Sequence, residues 1–383
     1  MKYPLFKVKV NTESAIKNIT NVLNSGFINE GEQVHQLELQ INKFLGTNQA
    51  LLVNSCTSAI TLALRIIGVG VGDEVISTPM TCIATNTPIY NTGAKIVWAD
   101  LDISTGQISP SDIGRKITSK TKCIVVVDWA GSPCDLIEIE KIAKSHDIPV
   151  IQDAAHAFGA MLDGKSISEY SDFTCYSFQA IKHFSTGDGG ALVCRSYKDF
   201  NLAKKLKWFG FDREEVKDVK GEWKGQKWDA DIKSDEVGYK FNMNNLSAAI
   251  GIANLESIQS VLSAHRKNAQ TYINLLSSHD KISLLENKPS SLSSHWVFTL
   301  RLNLTEKERD VVLKRLNDQG IGAGLVHLPN YVYSAFKEFQ LPLPNTENFA
   351  ATQLSLPCGW WLEEKDCKLI AITLLKELDK VAI

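Results

Sequence analysis

Residues 173–192 read FTCYSFQAIKHFSTGDGGAL. An apolar and aromatic run from Phe173 to Phe178 gives way to a polar turn that carries a single lysine, Lys182, and ends in Gly187-Asp188-Gly189-Gly190. Apolar residues then resume at Ala191-Leu192-Val193-Cys194. A lysine on a tight turn between two strands lies near a buried sheet edge. Desolvation there destabilises the ammonium and lowers its pKa, as an amine that must condense with an aldehyde requires. Taken alone, the same letters also describe a solvated loop lysine ahead of a glycine-rich hairpin, so the choice falls to the residues upstream.

Upstream, residues 51–193 alternate strand and helix patterns. The strand candidates are 51–53, 74–77, 95–98, 123–128, 149–152, 173–178 and 191–194; the helix candidates are 57–67, 83–90 and 136–145. Short strands, several rich in β-branched residues, interleaved with helices predict a mostly parallel sheet covered on both faces. Ligands of such sheets sit outside the carboxyl ends of the strands, which singles out three stretches. After Val53 come Asn54-Ser55-Cys56-Thr57-Ser58 and a helix. Small polar residues at a helix start leave backbone N–H groups facing outward and suit a phosphate, although a plain serine or threonine N-cap has the same spelling. After Gln152 come Asp153-Ala154-Ala155-His156. A carboxylate at the end of a buried strand needs a cation or donors, either a neighbouring helix start or a protonated ring nitrogen. His156 stands three residues on, within reach of the same ligand or as an ordinary structural histidine. The third stretch carries Lys182. A phosphate cradle, a carboxylate for a pyridinium nitrogen and an amine for an aldehyde are the three groups that pyridoxal 5′-phosphate (PLP) needs. No GxGxxG follows the first strand, which argues against a nicotinamide dehydrogenase.

Bulk properties set the class. The 383 residues suffice for one large and one smaller domain. Hydrophobic content of 44%, charged content of 22% and a formal net charge of −2 fit a globular protein and imply neither a nucleic-acid nor a membrane partner. The eight cysteines form no CxxC or metal-spaced cluster and read as reduced core residues of a cytoplasmic protein; no metal is expected. The N-terminus MKYPLFKVKV lacks the apolar stretch of a signal peptide.

The motifs together resemble the DegT-type (DegT/StrS) sugar aminotransferases. The resemblance runs through VGVGDEVISTPMTCIATNTPIYNTGAKIVWADLD (69–102), VIQDAAHAFGA (150–160), SFQAIKHFSTGDGGAL (177–192) and VGYKFNMNNLSAAIGIANL (237–255). It implies an α/β chain of the aspartate-aminotransferase type (fold type I). A large PLP-binding domain with a mostly parallel seven-stranded sheet would cover 1–250, and a smaller α+β domain 251–383. By the same resemblance, Lys182 joins PLP and shuttles protons, Asp153 pairs with the pyridine nitrogen, and His156 replaces the usual glutamine near the phenolic oxygen. Ser177 and the backbone at Thr57 and Ser58 hold the phosphate, and Gln179 lies on the substrate side. Cys82 stands where the family usually has an aromatic that stacks on the ring. Lys240, or Asn242, would reach the phosphate across a homodimer interface. The implied substrates are a nucleotide-linked keto sugar and an amino donor, glutamate, in the making of amino sugars for cell-surface polysaccharides such as O-antigen. Two alternatives remain: a PLP-dependent sugar dehydratase of the same family, whose branch carries histidine in place of the lysine, and a catalytically silent regulatory homologue. His183 follows Lys182, but the spacing of five residues on either side, to Ser177 and to Gly187, keeps Lys182 in the catalytic register.

Beyond the sheet the reading is coarser. Helices are expected from Asn11-Thr12, with Ile16, Ile19 and Leu23 sharing an apolar face closed by Gly26, over 32–44, and as a long helix, straight or bent, over 246–276. A strand over 294–302, a helix opened by the capping box Thr305-Glu306-Lys307-Glu308, a strand over 321–326 and a closing helix over 364–378 make up the small unit. Residues 208–240, with Trp208, Trp223 and Trp228 among charges, read either as a lid over a large polar substrate or as a peripheral insertion. His327, Asn330 and Tyr331 resemble the family segment that approaches the active site; packing roles stand open beside that.

Overall fold

The chain is described by a computed structural model over residues 1–212, 232–233 and 236–381. Seven strands form the central sheet: β1 (Ala50–Val53), β2 (Glu74–Ser77), β3 (Lys95–Trp98), β4 (Thr121–Val127), β5 (Val150–Asp153), β6 (Phe173–Ser177) and β7 (Gly190–Cys194). Their order is β3-β2-β4-β5-β6-β7-β1, with β7 alone antiparallel to its neighbours. The fold class expected from the alternation is the one found. Every residue of β1, β2, β5, β6 and β7 is buried. Alternate side chains enter two apolar layers: Leu52, Ile76, Val126 and Tyr176 pack on one face, Leu51, Val75, Val125 and Cys175 on the other. At about 1.5–3 kcal/mol for each fully buried large aliphatic or aromatic side chain, these two layers fix the strand register.

The helix Thr12–Ser25 closes at Gly26, whose left-handed φ of 69° lets its N–H return to the Leu23 carbonyl. Its buried face differs from the expected one. Ala15 and Val22 turn inward toward the helix Asn245–Leu255, while Ile16 and Leu23 are 60% and 53% exposed. The long helix expected over 246–276, straight or bent, is interrupted into two, Asn245–Leu255 and Ile258–Leu276. The break at Glu256-Ser257 is held locally by the Ser257 hydroxyl on the Asn254 carbonyl, and Asn254 itself is tied to Asn11 and to the Ser185 carbonyl.

The C-terminal unit has its own core around a three-stranded antiparallel sheet of β8 (Ile282–Leu284), β9 (Phe298–Leu302) and β10 (Gln353–Leu356). The helices Glu306–Asp318, which has the expected Thr305–Glu308 capping box, and Glu364–Asp379 line it. Residues 321–326 are not a strand. Ile321 makes a single bridge to Tyr3 and Gly324 a single bridge to Ser355, so no ladder propagates. Gly322 lies so close to the N-terminal arm that a Cβ there would sit 2.6 Å from the Leu5 nitrogen. Most of the expected lid, Trp223 and Trp228 included, lies outside the described residues. Trp208 is buried and bridges to Lys240. Among the described residues, no helix is long and apolar enough to cross a membrane.

Candidate active site

The carboxyl ends of β1, β5 and β6 bring the sequence-singled residues together. At the end of β1, Ser55 is the N-cap of the helix Cys56–Ile67 and its hydroxyl accepts the Ser58 N–H at 3.1 Å. The Ala59 N–H goes to the Ser55 carbonyl, which leaves the N–H groups of Cys56 and Thr57 as the outward donors of this end. The Ser58 hydroxyl donates to Asn54 Oδ1 at 2.6 Å. The β6–β7 pair abuts this turn: Gly190 faces Ser177 in register, and a Cβ on Gly190 would lie 2.6 Å from the Cys56 nitrogen. Ser177 is buried beside it, its hydroxyl accepting the Gln179 N–H. Gln179 is exposed and folds back to accept the Ile181 N–H, bracing the turn that precedes Lys182.

At the end of β5, Asp153 is buried. Its Oδ2 accepts the Thr85 hydroxyl at 2.6 Å and its Oδ1 accepts the Ala155 N–H at 3.0 Å. Burial raises its carboxyl above the ordinary range, while these donors and the nearby Lys182 pull the other way. Burial also lowers the Lys182 amine to about 8, against upward pulls from Asp153, Cys56 and Cys82. A charge interaction therefore links the β5 carboxylate, the helix start and the lysine turn. Cys82, just ahead of the helix Ile83–Asn91, joins that group.

His156 is buried and held neutral by desolvation, and its Nδ1 has no hydrogen-bond partner among the described residues. A buried ring nitrogen without a partner is costly unless a ligand satisfies it. The imidazole stacks on the Trp296 indole at 4.0 Å and 15°, and on His327 at 5.5 Å and 7°. Trp296 also lies under the Lys182 amine, 3.8 Å from ring centroid to Nζ. The Trp296 contact was not legible in the sequence, which carries no local motif there, whereas His327 stands in the segment whose resemblance placed it near the active site, and it is found stacked on His156. Asn330 has a visible packing role: it clamps the loop before the helix Ile83–Asn91 through the Pro79 and Thr81 carbonyls and the Asn86 amide. Tyr331 packs in the apolar layer that contains Leu51, Val75 and Val125.

Lys240 and Asn242 lie at the end of β1 of their own chain. Asn242 bridges Val53, the Phe241 carbonyl accepts the Asn54 N–H, and the Lys240 ammonium stands 3.7 Å from the Trp208 ring centroid. The His183 ring is tied by its Nε2 to the Ser294 carbonyl at 2.9 Å. Among the described residues no group of histidine, cysteine and carboxylate side chains could hold a metal ion.

The residues present fit PLP. They offer a depressed amine, a donor-held carboxylate, a helix start with two outward N–H groups and an unsatisfied neutral imidazole nitrogen. The comparisons agree in kind. A model of the DegT/DnrJ/EryC1/StrS aminotransferase family matches residues 9–374. The chain is 31% identical over 355 residues to the spore coat polysaccharide biosynthesis protein SpsC of Bacillus subtilis, covering 89% of this chain and 88% of that one. It superposes on the sugar aminotransferase CalS13 from Micromonospora echinospora with a TM-score of 0.90 at 29% identity, covering 98% of this chain and 100% of that one. Spr1654 from Streptococcus pneumoniae, solved in PLP and PMP forms, superposes with a TM-score of 0.89 at 26% identity; its PLP form covers 100% of both chains. The chain belongs to the DegT/DnrJ/EryC1/StrS aminotransferase family of PLP-dependent sugar aminotransferases.

Proposed function

We propose that the chain transfers an amino group from glutamate to the ketone of a nucleotide-linked deoxy sugar, as a cytoplasmic homodimer supplying amino sugars for cell-surface polysaccharide. The observation that carries this reading is the meeting of the Lys182 amine, lowered to about 8, with Asp153 and the Ser55–Ser58 helix start at the carboxyl ends of β6, β5 and β1. When bound, PLP supplies an electron sink that stabilises charge developing beside the transferred nitrogen. Lys182 holds a neutral amine in an appreciable fraction of molecules near pH 7, so it can take a proton at Nζ and return it in the second half of the cycle. Asp153, fixed by Thr85 and Ala155, keeps a ring nitrogen protonated by accepting its hydrogen bond. His156 offers Nδ1 to the phenolic oxygen. The Thr57 N–H at the helix start, with Ser177, holds the phosphate; the Ser58 N–H, also expected to do so, is taken by the Ser55 hydroxyl. Gln179 faces the substrate. Cys82 leaves a ring face less covered than an aromatic would.

His183 is turned to a backbone carbonyl while Lys182 faces Asp153, which supports transfer over dehydration. The exposed Ile16 and Leu23, with Phe27 52% exposed, support a second copy of this chain as partner, toward which Lys240 or Asn242 would extend. Eight free thiols suit a reducing compartment. The test is direct. The purified protein should show a visible absorption band with PLP that Lys182→Ala abolishes, and glutamate should bleach it. A panel of GDP-, UDP- and dTDP-linked keto sugars should then yield an aminated product by mass. Failure to bind PLP under any condition would end this reading, and release of ammonia with a deoxygenated product would establish the dehydratase instead.

A further inference from the structure

Trp296 makes more contacts with the lysine turn than a wall residue needs. Its Nε1 donates to the Ile181 carbonyl at 2.9 Å, which ties the indole to the residue before Lys182. Its ring stacks on His156 at 4.0 Å and on Phe6 of the N-terminal arm at 4.6 Å. The backbone that carries it is pinned from the lysine side too, because His183 Nε2 meets the Ser294 carbonyl. The indole is thus 3% exposed, held in one orientation, and the Lys182 Nζ stands 3.8 Å from its centroid.

We propose that Trp296 is a positioning residue for Lys182, its indole face being where the amine rests whenever it is not joined to the cofactor. This rests on reading Lys182 as the reactive amine. In a transfer that runs in two halves, the lysine is free while the amino group resides on the cofactor. A flexible four-carbon side chain would then lose its place unless something held it. An aromatic face attracts the ammonium and accepts the neutral amine's methylenes equally well, so it holds both protonation states that a proton carrier passes through. The other groups facing Lys182 are Asp153 from β5, Cys56 from the helix start, Cys82 ahead of the helix Ile83–Asn91, and the neutral His156, His183 and His327. Asp153 is the sole carboxylate among them and belongs to the cofactor's nitrogen, which leaves the indole to hold the amine.

The test reads capture of PLP by the full-length protein stripped of cofactor, as the rate of the visible band against pH. In the wild type, capture should titrate near the amine's value of about 8. Trp296→Leu keeps the site apolar but removes the ring's attraction for the ammonium. The midpoint should fall by about one unit, so that capture at pH 7 quickens by about fivefold. Trp296→Phe should shift it the same way by less, and it serves alone if the leucine variant does not fold. A midpoint that is unchanged, or that moves upward, in the variants overturns the inference while leaving the lysine's role intact. A wild type with no Lys182-dependent band overturns the role itself.

Discussion

Asp153→Asn separates what the carboxylate does for the fold from what it does for chemistry. In the native network Oδ1 accepts the Ala155 N–H at 3.0 Å and Oδ2 accepts the Thr85 hydroxyl at 2.6 Å, with Thr81 Oγ1 a further 2.8 Å from Thr85 Oγ1. An asparagine can keep Oδ1 on Ala155 and present its amide to Thr85, whose hydroxyl then turns its proton to Thr81. No hydrogen bond need be lost, and a buried charge disappears. The sign of the pH effect agrees. Burial holds the Asp153 carboxyl above its unfolded value, so the folded state binds more protons in that window and loses stability as pH rises through it. The variant is spared that loss, and its unfolding free energy at pH 7 should lie within about 1 kcal/mol of wild type or above it. Chemistry should fare differently. The amide cannot accept from a protonated ring nitrogen, and losing a charge-assisted bond of about 1.5–3 kcal/mol slows transfer by roughly 10- to 150-fold. Calorimetry and single-turnover transfer from glutamate, run on the same preparation, give both quantities. Transfer within twofold of wild type, or a loss of stability above about 3 kcal/mol, would refute the assignment of Asp153 as the ring's partner.

Four other outcomes follow from the structure. Gly190→Ala places a Cβ 2.6 Å from the Cys56 nitrogen and the Ser55 carbonyl carbon; it should cost about 1–3 kcal/mol and weaken PLP affinity by more than stability alone explains, measured by equilibrium dialysis. Lys182 has a folded pKa of about 8 against 10.5 unfolded, so the unfolded chain binds more protons between those values and stability rises with pH across them. Relative to Lys182→Met, the cofactor-free protein should gain up to about 3 kcal/mol from pH 7 to pH 11 in denaturant titrations, and equal curves would refute the shift. Arg309, buried, donates to the Ala350 and Gln353 carbonyls, so Arg309→Met should cost about 2–4 kcal/mol while leaving transfer per folded molecule unchanged. The double variant Ile16→Glu, Leu23→Glu should sediment as a monomer and lose transfer, whereas an unchanged sedimentation coefficient would show that this helix face is not the interface.

How much was legible depends on the distance over which each feature is set. All seven central strands could be read because each is a short, mostly buried run bounded by its own helix or turn. The helix caps at Ser109 and the short helix Pro110–Lys116 it opens were missed, since seven residues carry too little periodicity to register. Helix Thr12–Ser25 shows the opposite failure. Its strongest apolar stripe, Ile16 with Leu23, is the one left outside, while the small Ala15 and Val22 allow close approach to Asn245–Leu255. Periodicity found the amphipathic helix but not which side faces its own core, because a second apolar side carries the same signal. Residues 321–326 failed for a third reason: a β-like composition cannot say whether a ladder partner exists, and here Tyr3 and Ser355 each supply one bridge.

The site divides in the same way. Lys182, Asp153 and the Ser55–Ser58 turn stand at strand ends, so their convergence follows from sheet order once that is known. Trp296 and His327 arrive from more than a hundred residues downstream, and they decide the electrostatics as much as the charges do. A lysine beside a buried carboxylate alone would stay an ammonium, because the ion pair favours the charged form. The fold packed around the turn removes water from around the amine, and burial is the largest influence on it, larger than the pull of Asp153. The local motif thus supplies the reactive group, and burial by the surrounding fold brings its protonation near neutrality, against the pull of Asp153 and of the Trp296 ring toward the charged form. This is why SFQAIKHFSTGDGGAL could also be read as a solvated loop until the fold surrounded it.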